Sequence, residues 1–131
     1  MIRCLMVDDD RFYSKVGIAN ESVIFLTGIE AKDVYVARNY WDAIKFVEQN
    51  GIPEILTMDN DIASFDENGH EFKGYDFVKW LCEQVMDEKY TFPENFRFNA
   101  HTANIVDQKA MIGYMQNFFS QFLGKELTLW K

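Results

Sequence analysis

Three short apolar runs in this chain each end in a cluster of polar residues. The runs cover residues 4–7, 55–58 and 96–100, and the clusters that follow them cover residues 8–11, 59–61 and 101–104. If the runs are parallel strands of an open α/β sheet, their carboxyl ends lie along one edge, where such sheets bind ligands. The sequence therefore predicts that acidic residues and a histidine, far apart in the chain, meet at a single site.

The segments between the runs carry the signals of helices. Asn39 suits an N-cap for a helix over residues 40–49. Further helices are predicted over residues 74–89 and 105–123, and further strands over residues 34–37 and 126–130. Residues 12–33 are less regular, with a short helix over residues 12–19 as one interpretation. Strands that alternate with helices imply parallel crossovers, so we predict a single domain over residues 1–131, a three-layer α/β/α sandwich with a mostly parallel sheet.

Composition and charge limit the class of protein. With 131 residues, of which 48% are hydrophobic, the chain is long enough to bury a core and too apolar to be disordered. A formal net charge of -8 argues against a general nucleic-acid-binding surface, which needs clustered Lys and Arg. No apolar segment approaches membrane-spanning length and no secretion signal opens the chain, so we expect a cytoplasmic protein that does not bind membranes. In a reducing compartment, Cys4 and Cys82 are expected to be buried free thiols.

Asp8, Asp9 and Asp59 follow two different apolar runs and would converge at the predicted edge. Carboxylates held this close repel one another unless a cation lies between them. A divalent ion that prefers oxygen ligands, Mg²⁺ or Mn²⁺, resolves that repulsion. These three residues are therefore the candidate metal ligands, and the alternative is that they are solvated loop acids.

Arg11, Thr102 and Asn104 are the candidate ligands of a phosphate. A guanidinium pairs with two phosphate oxygens at once, and a hydroxyl or an amide can donate a hydrogen bond to one. Two of the three have a structural alternative, which is a salt bridge to the neighbouring acids for Arg11 and helix capping for Asn104.

His101, Asp61 and Asp59 are the candidate catalytic residues. An imidazole exchanges a proton near neutral pH, and His101 shares its predicted edge with acids. Asp61 lies two residues after Asp59 and points to the same side of an extended segment, so it either extends the acidic cluster or acts as a base. A purely structural histidine is the alternative interpretation of His101.

Four short motifs, in this order, resemble a known family. They are Val7-Asp8-Asp9-Asp10-Arg11, Met58-Asp59-Asn60-Asp61-Ile62, Gly74-Tyr75-Asp76 and His101-Thr102-Ala103-Asn104. Their order resembles a response-regulator receiver domain, and in detail they are more similar to the cyclic-phosphate-processing receiver-like domains of bacteria and phages. Asn60 stands where that family usually has a histidine. His70, in the polar loop that follows, is either solvated or a replacement for it.

The resemblance implies a receiver-like (flavodoxin-like) fold, modified at its carboxyl-terminal end, and a small phosphate-containing ligand. The implied function is the metal-assisted processing or binding of a cyclic or terminal phosphate, such as a cyclic nucleotide or a 2′,3′-cyclic phosphate, by a metal-dependent phosphoesterase. Two alternatives stay open: a non-catalytic receiver-like module that binds a protein or nucleotide and uses the acidic edge for regulation, and a receiver that accepts a phosphoryl group on Asp59. A protein partner and a homodimer are both left open as partners. Neither Lys125 nor Lys131 matches the lysine that receivers carry after their fifth strand, which weighs against the acceptor.

Overall fold

The computed structural model describes residues 2–9 and 28–130, together with two short strands between these ranges. The two strands, β2 (Tyr13–Lys15) and β3 (Ile18–Ala19), form an antiparallel pair. The prediction of a short helix over residues 12–19 is therefore wrong, because a short apolar run does not by itself distinguish a helix from a strand. The other residues from 10 to 27, with the predicted phosphate ligand Arg11 among them, lie outside the described residues.

The main sheet has five strands, and every neighbouring pair in it is parallel. In spatial order the strands are β4 (Val34–Ala37), β1 (Cys4–Val7), β5 (Ile55–Met58), β8 (Arg97–Ala100) and β9 (Thr128–Leu129). Counted along the chain, these five strands have the spatial order 2-1-3-4-5 of flavodoxin-like folds. The predicted receiver-like α/β fold with a mostly parallel sheet is thus confirmed. The direction of winding changes between β1 and β5, which is where sheets of this kind bind ligands.

Helices and a small hairpin connect the strands in the described part of the chain. The helices are α1 (Tyr40–Asn50), α2 (Gly74–Met86) and α3 (Ile105–Phe118), and the hairpin pairs β6 (Ser64–Phe65) with β7 (Glu71–Phe72). The predicted N-cap of α1 is confirmed, since the side chain of Asn39 accepts a hydrogen bond from the backbone N–H of Asp42 at 2.8 Å. A 3-10 turn, Ala31–Asp33, precedes β4, and a π-helical turn, Phe119–Leu123, extends α3. Among the described helices, none has the length and apolar composition needed to cross a bilayer.

One face of the sheet packs against all three helices. Its buried strand residues are Leu5, Val7, Ala37, Leu56, Met58, Phe98 and Ala100. The helices contribute apolar side chains at helical spacing, such as Phe77 and Leu81 of α2 and Met111 and Met115 of α3. This packing fixes the starts of α2 and α3 above the carboxyl ends of β5 and β8, where the polar clusters lie.

The other face of the sheet has a smaller described cluster, which contains Cys4, Met6 and Ile29. Cys4 in β1 and Cys82 in α2 are both buried free thiols, as predicted. Burial raises the pKa of each thiol to about 12, so neither forms a reactive thiolate near neutral pH.

Candidate functional site

Backbone hydrogen bonds set three of the predicted site residues side by side. The N–H of Asp59 donates to the carbonyl of Val7 at 2.9 Å, and the N–H of His101 donates to the carbonyl of Met58 at 2.8 Å. The last paired residues of β1, β5 and β8 are in register, so Asp8, Asp59 and His101 follow them at the same level. The structure therefore brings together residues that are up to 93 positions apart in the chain.

A cleft of about 350 Å³ opens at this edge of the sheet, between β1 and the start of α3. Its lining consists of Asp8, Asp9, Asp59, Asp61, Thr102, Ala103 and Asn104. Asp8 is fully buried at its base, whereas the side chain of Asp61 is 70% exposed at its rim. Four carboxylates in one cleft favour a bound cation, because they repel one another in its absence.

His101 is not part of the cleft lining, but it contacts Asp8 at the base of the cleft and Thr57 inside the sheet. Its Nε2 lies 2.8 Å from Oδ2 of Asp8, and its Nδ1 lies 2.7 Å from Oγ1 of Thr57 in β5. An ionised carboxylate only accepts hydrogen bonds, so Nε2 carries the hydrogen of its contact. Both ring nitrogens are thus engaged, and proton exchange between Nε2 and a ligand requires the contact with Asp8 to be replaced.

Thr57 is a site residue that the sequence reasoning missed. It is only 2% exposed and lies within a strand whose other residues are all apolar. Its signal in the sequence is a single hydroxyl inside a buried apolar run, two residues before Asp59 and so on the same side of an extended chain.

The donor atoms of Asp8, Asp59 and His101 fit a divalent cation. One carboxylate oxygen of each acid and one ring nitrogen of the histidine all lie within 4.8 Å of one another. Two carboxylates supply the oxygen ligands that Mg²⁺ prefers, and an imidazole nitrogen that has given up its hydrogen is a common ligand of other divalent metals. Asp9 lines the same cleft but does not belong to this close group, so its role as a metal ligand stays a prediction.

Asp61 is paired with a lysine in this structure. Its Oδ1 lies 3.4 Å from Nζ of Lys73, which precedes α2. The charge of Asp61 is the main reason why the pKa of Lys73 is raised above its ordinary value. Asp61 lines the cleft, as the sequence predicted, and this pairing places a cation at the rim of an otherwise acidic cavity.

Thr102 and Asn104 line the cleft and also shape the start of α3. Oδ1 of Asn104 accepts hydrogen bonds from the backbone N–H groups of Val106 at 3.0 Å and Asp107 at 3.2 Å. Oγ1 of Thr102 accepts one from the N–H of Asn104 at 3.3 Å. Asn104 is therefore the N-cap of α3, and its amide nitrogen is the atom that a phosphate oxygen would need.

A comparison of Asn104→Ala with a second N-cap variant separates the role of Asn104 as an N-cap from its predicted role as a phosphate ligand. Loss of an N-cap costs about 0.5–2 kcal/mol in the free energy of unfolding. Asn39→Ala, which removes the N-cap of α1, is the matched control, and denaturant unfolding should show a loss of similar size for both. If Asn104 also holds a phosphate, only Asn104→Ala should weaken binding of a cyclic phosphate measured by calorimetry. Equal affinities for the two variants would restrict Asn104 to capping.

Asn60 ties the start of α2 to the acidic cleft. It is 4% exposed, and its Oδ1 accepts a hydrogen bond from the N–H of Tyr75 at 3.1 Å. Its carbonyl accepts another from the N–H of Gly74 at 2.8 Å, and its own N–H donates to Oδ1 of Asp59 at 2.7 Å. The residue that replaces the usual histidine thus links Asp59 to a helix terminus.

Gly74 and Asp76 complete this junction. A Cβ at Gly74 would overlap the carbonyl oxygen of Asp59 and lie 3.0 Å from the α carbon of Asn60, so only glycine fits there. Oδ2 of Asp76 accepts a hydrogen bond from the N–H of Lys73 at 2.8 Å. That contact caps α2 and accounts for an acid at this helix start.

His70 lies away from the cleft lining. It is exposed in the turn between β6 and β7, and its ring packs edge-on against Phe72 with centroids 4.7 Å apart. The arrangement is that of a solvated histidine on an aromatic neighbour.

The fold and the cleft define a receiver-like α/β domain with an acidic site at the switch point of its sheet. Residues 3–117 match the family described as the cyclic-phosphate processing receiver domain. Since this match covers most of the chain, the protein belongs to that family. A search of curated proteins finds no match to the chain.

Proposed function

We propose that the protein binds a cyclic or terminal phosphate in the acidic cleft and processes it with the help of a divalent cation. The observation that carries the proposal is the close group of Asp8, Asp59 and His101, whose donor atoms lie within 4.8 Å of one another at the base of the cleft. Membership of a cyclic-phosphate processing family supports the substrate class. The class includes cyclic nucleotides and 2′,3′-cyclic phosphates.

Asp8 and Asp59, with Asp9, would hold the cation, with Mg²⁺ or Mn²⁺ as the expected ion. When bound, such an ion neutralises charge on a phosphate and polarises its oxygens. A phosphate needs this cation in order to bind, because its negative charge is repelled by the four carboxylates of the cleft.

The remaining polar groups of the cleft would orient the phosphate and move a proton. Thr102 and Asn104 line the wall and supply a hydroxyl and an amide donor. His101 would act as general acid or base once its contact with Asp8 is replaced, with Asp61 assisting from the rim. Arg11 stays a proposed phosphate ligand.

Product formation from a panel of cyclic phosphates tests the proposal. The wild-type protein is incubated with 3′,5′-cyclic nucleotides and 2′,3′-cyclic phosphates, with and without Mg²⁺ or Mn²⁺, and products are read by chromatography. We expect metal-dependent ring opening of at least one substrate, which Asp59→Asn abolishes. A mass increase with acetyl phosphate, without ring opening, would instead identify a phosphoacceptor receiver. If neither a product nor a mass increase is observed, a non-catalytic binding module is the remaining interpretation.

Metal binding should stabilise the folded protein. A ligand that binds only the native state adds about 2.7 kcal/mol at a concentration 100 times its Kd. We therefore expect millimolar Mg²⁺ or Mn²⁺ to raise the melting temperature, and Asp59→Asn to remove that rise. Asp9→Asn tests the third proposed ligand in the same way. Asp87→Asn, which makes the same charge change in the turn after α2, is the control and should leave the rise intact. A wild-type melting temperature that does not respond to metal would favour solvated acids.

A further inference from the structure

We propose that Thr57 is the positioning residue of the site, which holds the imidazole of His101 so that its Nε2–H faces Asp8. The placement of the ring is independent of the proposed function. Only the consequence for catalysis rests on it.

The ring of His101 is held from two opposite sides. Oγ1 of Thr57 lies 2.7 Å from Nδ1, and Oδ2 of Asp8 lies 2.8 Å from Nε2. Thr57 is 2% exposed, Asp8 is 0% exposed and the side chain of His101 is 16% exposed, so water has little access to either contact. With both nitrogens engaged, a rotation of the ring breaks two largely buried hydrogen bonds, which is costly.

The direction of each hydrogen bond follows from the chemistry of the partners. The carboxylate of Asp8 can only accept, so in the neutral imidazole the hydrogen lies on Nε2 and Nδ1 is an acceptor. The hydroxyl of Thr57 must then donate to Nδ1. The contact with Asp8 thus sets the tautomer of His101, and the contact with Thr57 holds the ring in the orientation that presents Nε2–H to Asp8.

A hydroxyl donates or accepts by rotating about its C–O bond, so Thr57 does not itself choose the tautomer. Its role is to anchor Nδ1, which leaves Nε2–H as the side of the ring that faces Asp8. Without that anchor, only the contact with Asp8 holds the ring, and the ring is free to turn away from Asp8.

Nitrogen-15 NMR of the imidazole rings in the metal-free protein tests the placement directly. The chain has two histidines, and His70→Gln assigns the signals. In mildly alkaline buffer, we expect His101 of the wild type to show the two well-separated ring ¹⁵N shifts of a fixed Nε2–H tautomer. Thr57→Val, which has nearly the same shape without the hydroxyl, should move the two shifts toward each other as the tautomers mix. Thr57→Ser should restore the wild-type pattern.

The same spectra provide an internal control and the result that would contradict the proposal. The exposed His70 should give identical signals in all variants. Wild-type shifts of His101 in Thr57→Val would refute the positioning role. If Thr57→Val does not fold, Thr57→Ser keeps the proposal falsifiable, since mixed tautomers in that variant contradict it.

A kinetic arm examines the consequence for the proposed reaction. Partners that orient the residues of a metal site typically contribute about 10- to 100-fold to metal affinity or activity, and we expect a factor of that size here. With any cyclic phosphate that is turned over, Thr57→Val should lower kcat by that factor with little change in KM, and Thr57→Ser should recover most of it. Altered NMR spectra without a loss of kcat would retain the positioning role and reject its use in catalysis. Absence of turnover in the wild type would count against the proposed function alone.

Discussion

Replacing His101 with alanine is expected to lower the turnover of a cyclic phosphate by about 10²–10⁴-fold, the usual contribution of a general acid or base. The imidazole contacts the buried Asp8 directly and belongs to the close group that it forms with Asp8 and Asp59. It is also a group that exchanges a proton near neutral pH. Initial rates at saturating substrate and metal measure the effect. His70→Ala is the matched control and should keep the wild-type rate, since His70 packs against Phe72 in an exposed turn and is not part of the group formed by Asp8, Asp59 and His101.

The substitution also removes a partner of a buried carboxylate, so the folded state of His101→Ala needs a separate check by circular dichroism and thermal unfolding. A folded variant that retains the wild-type rate would contradict the catalytic role of His101. The fold and the two carboxylates of the proposed metal site, Asp8 and Asp59, would be unaffected by that outcome.

Gly74→Ala is expected to lower the free energy of unfolding by about 1–3 kcal/mol, the usual cost of forcing an extra group into a packed site. The added methyl would overlap the backbone carbonyl of Asp59, which cannot rotate away as a side-chain end can. The strain should therefore displace Asp59 itself. We expect the increase in melting temperature on metal addition to shrink along with the stability.

Gly113→Ala gives the opposite expectation and serves as the control. Gly113 lies in α3, and a Cβ there meets no atom within 4 Å. Alanine in a helix interior is favoured over glycine by about 0.8–1 kcal/mol, so this variant should be more stable than the wild type in denaturant unfolding. Equal behaviour of the two variants would show that the start of α2 can shift without cost, and would remove the structural link between Gly74 and Asp59.

The sequence predicts the site residues well where a polar side chain comes directly after a buried strand. Asp8, Asp59 and His101 each come directly after a buried apolar run, and strands that pair in register bring such residues together. The edge strand near the carboxyl terminus was predicted on similar grounds and is shorter than expected, with β9 spanning Thr128–Leu129.

The sequence fails where a contact depends on the three-dimensional arrangement. Thr57 reads as one more core residue, because nothing in the chain indicates that a histidine ring 44 residues away meets its hydroxyl. Asn60 reads as a polar loop residue, although its amide caps a helix that starts 14 residues later. The antiparallel pair of β2 and β3 was missed because strands of two or three residues are too short to show a period.

The central strand β5 ends at the site, and its pairing determines how often the backbone hydrogen bonds there open. It is paired on both sides, with β1 and β8, and the amides of Asp59 and His101 extend those ladders by one further bond each. Backbone groups of core strands open at free energies near that of global unfolding, whereas loops open at far lower free energy. The main-chain anchors of Asp59 and His101 directly adjoin such strands, so they should open less often than the loop residues of the cleft, and a ligand can enter and leave while they stay closed.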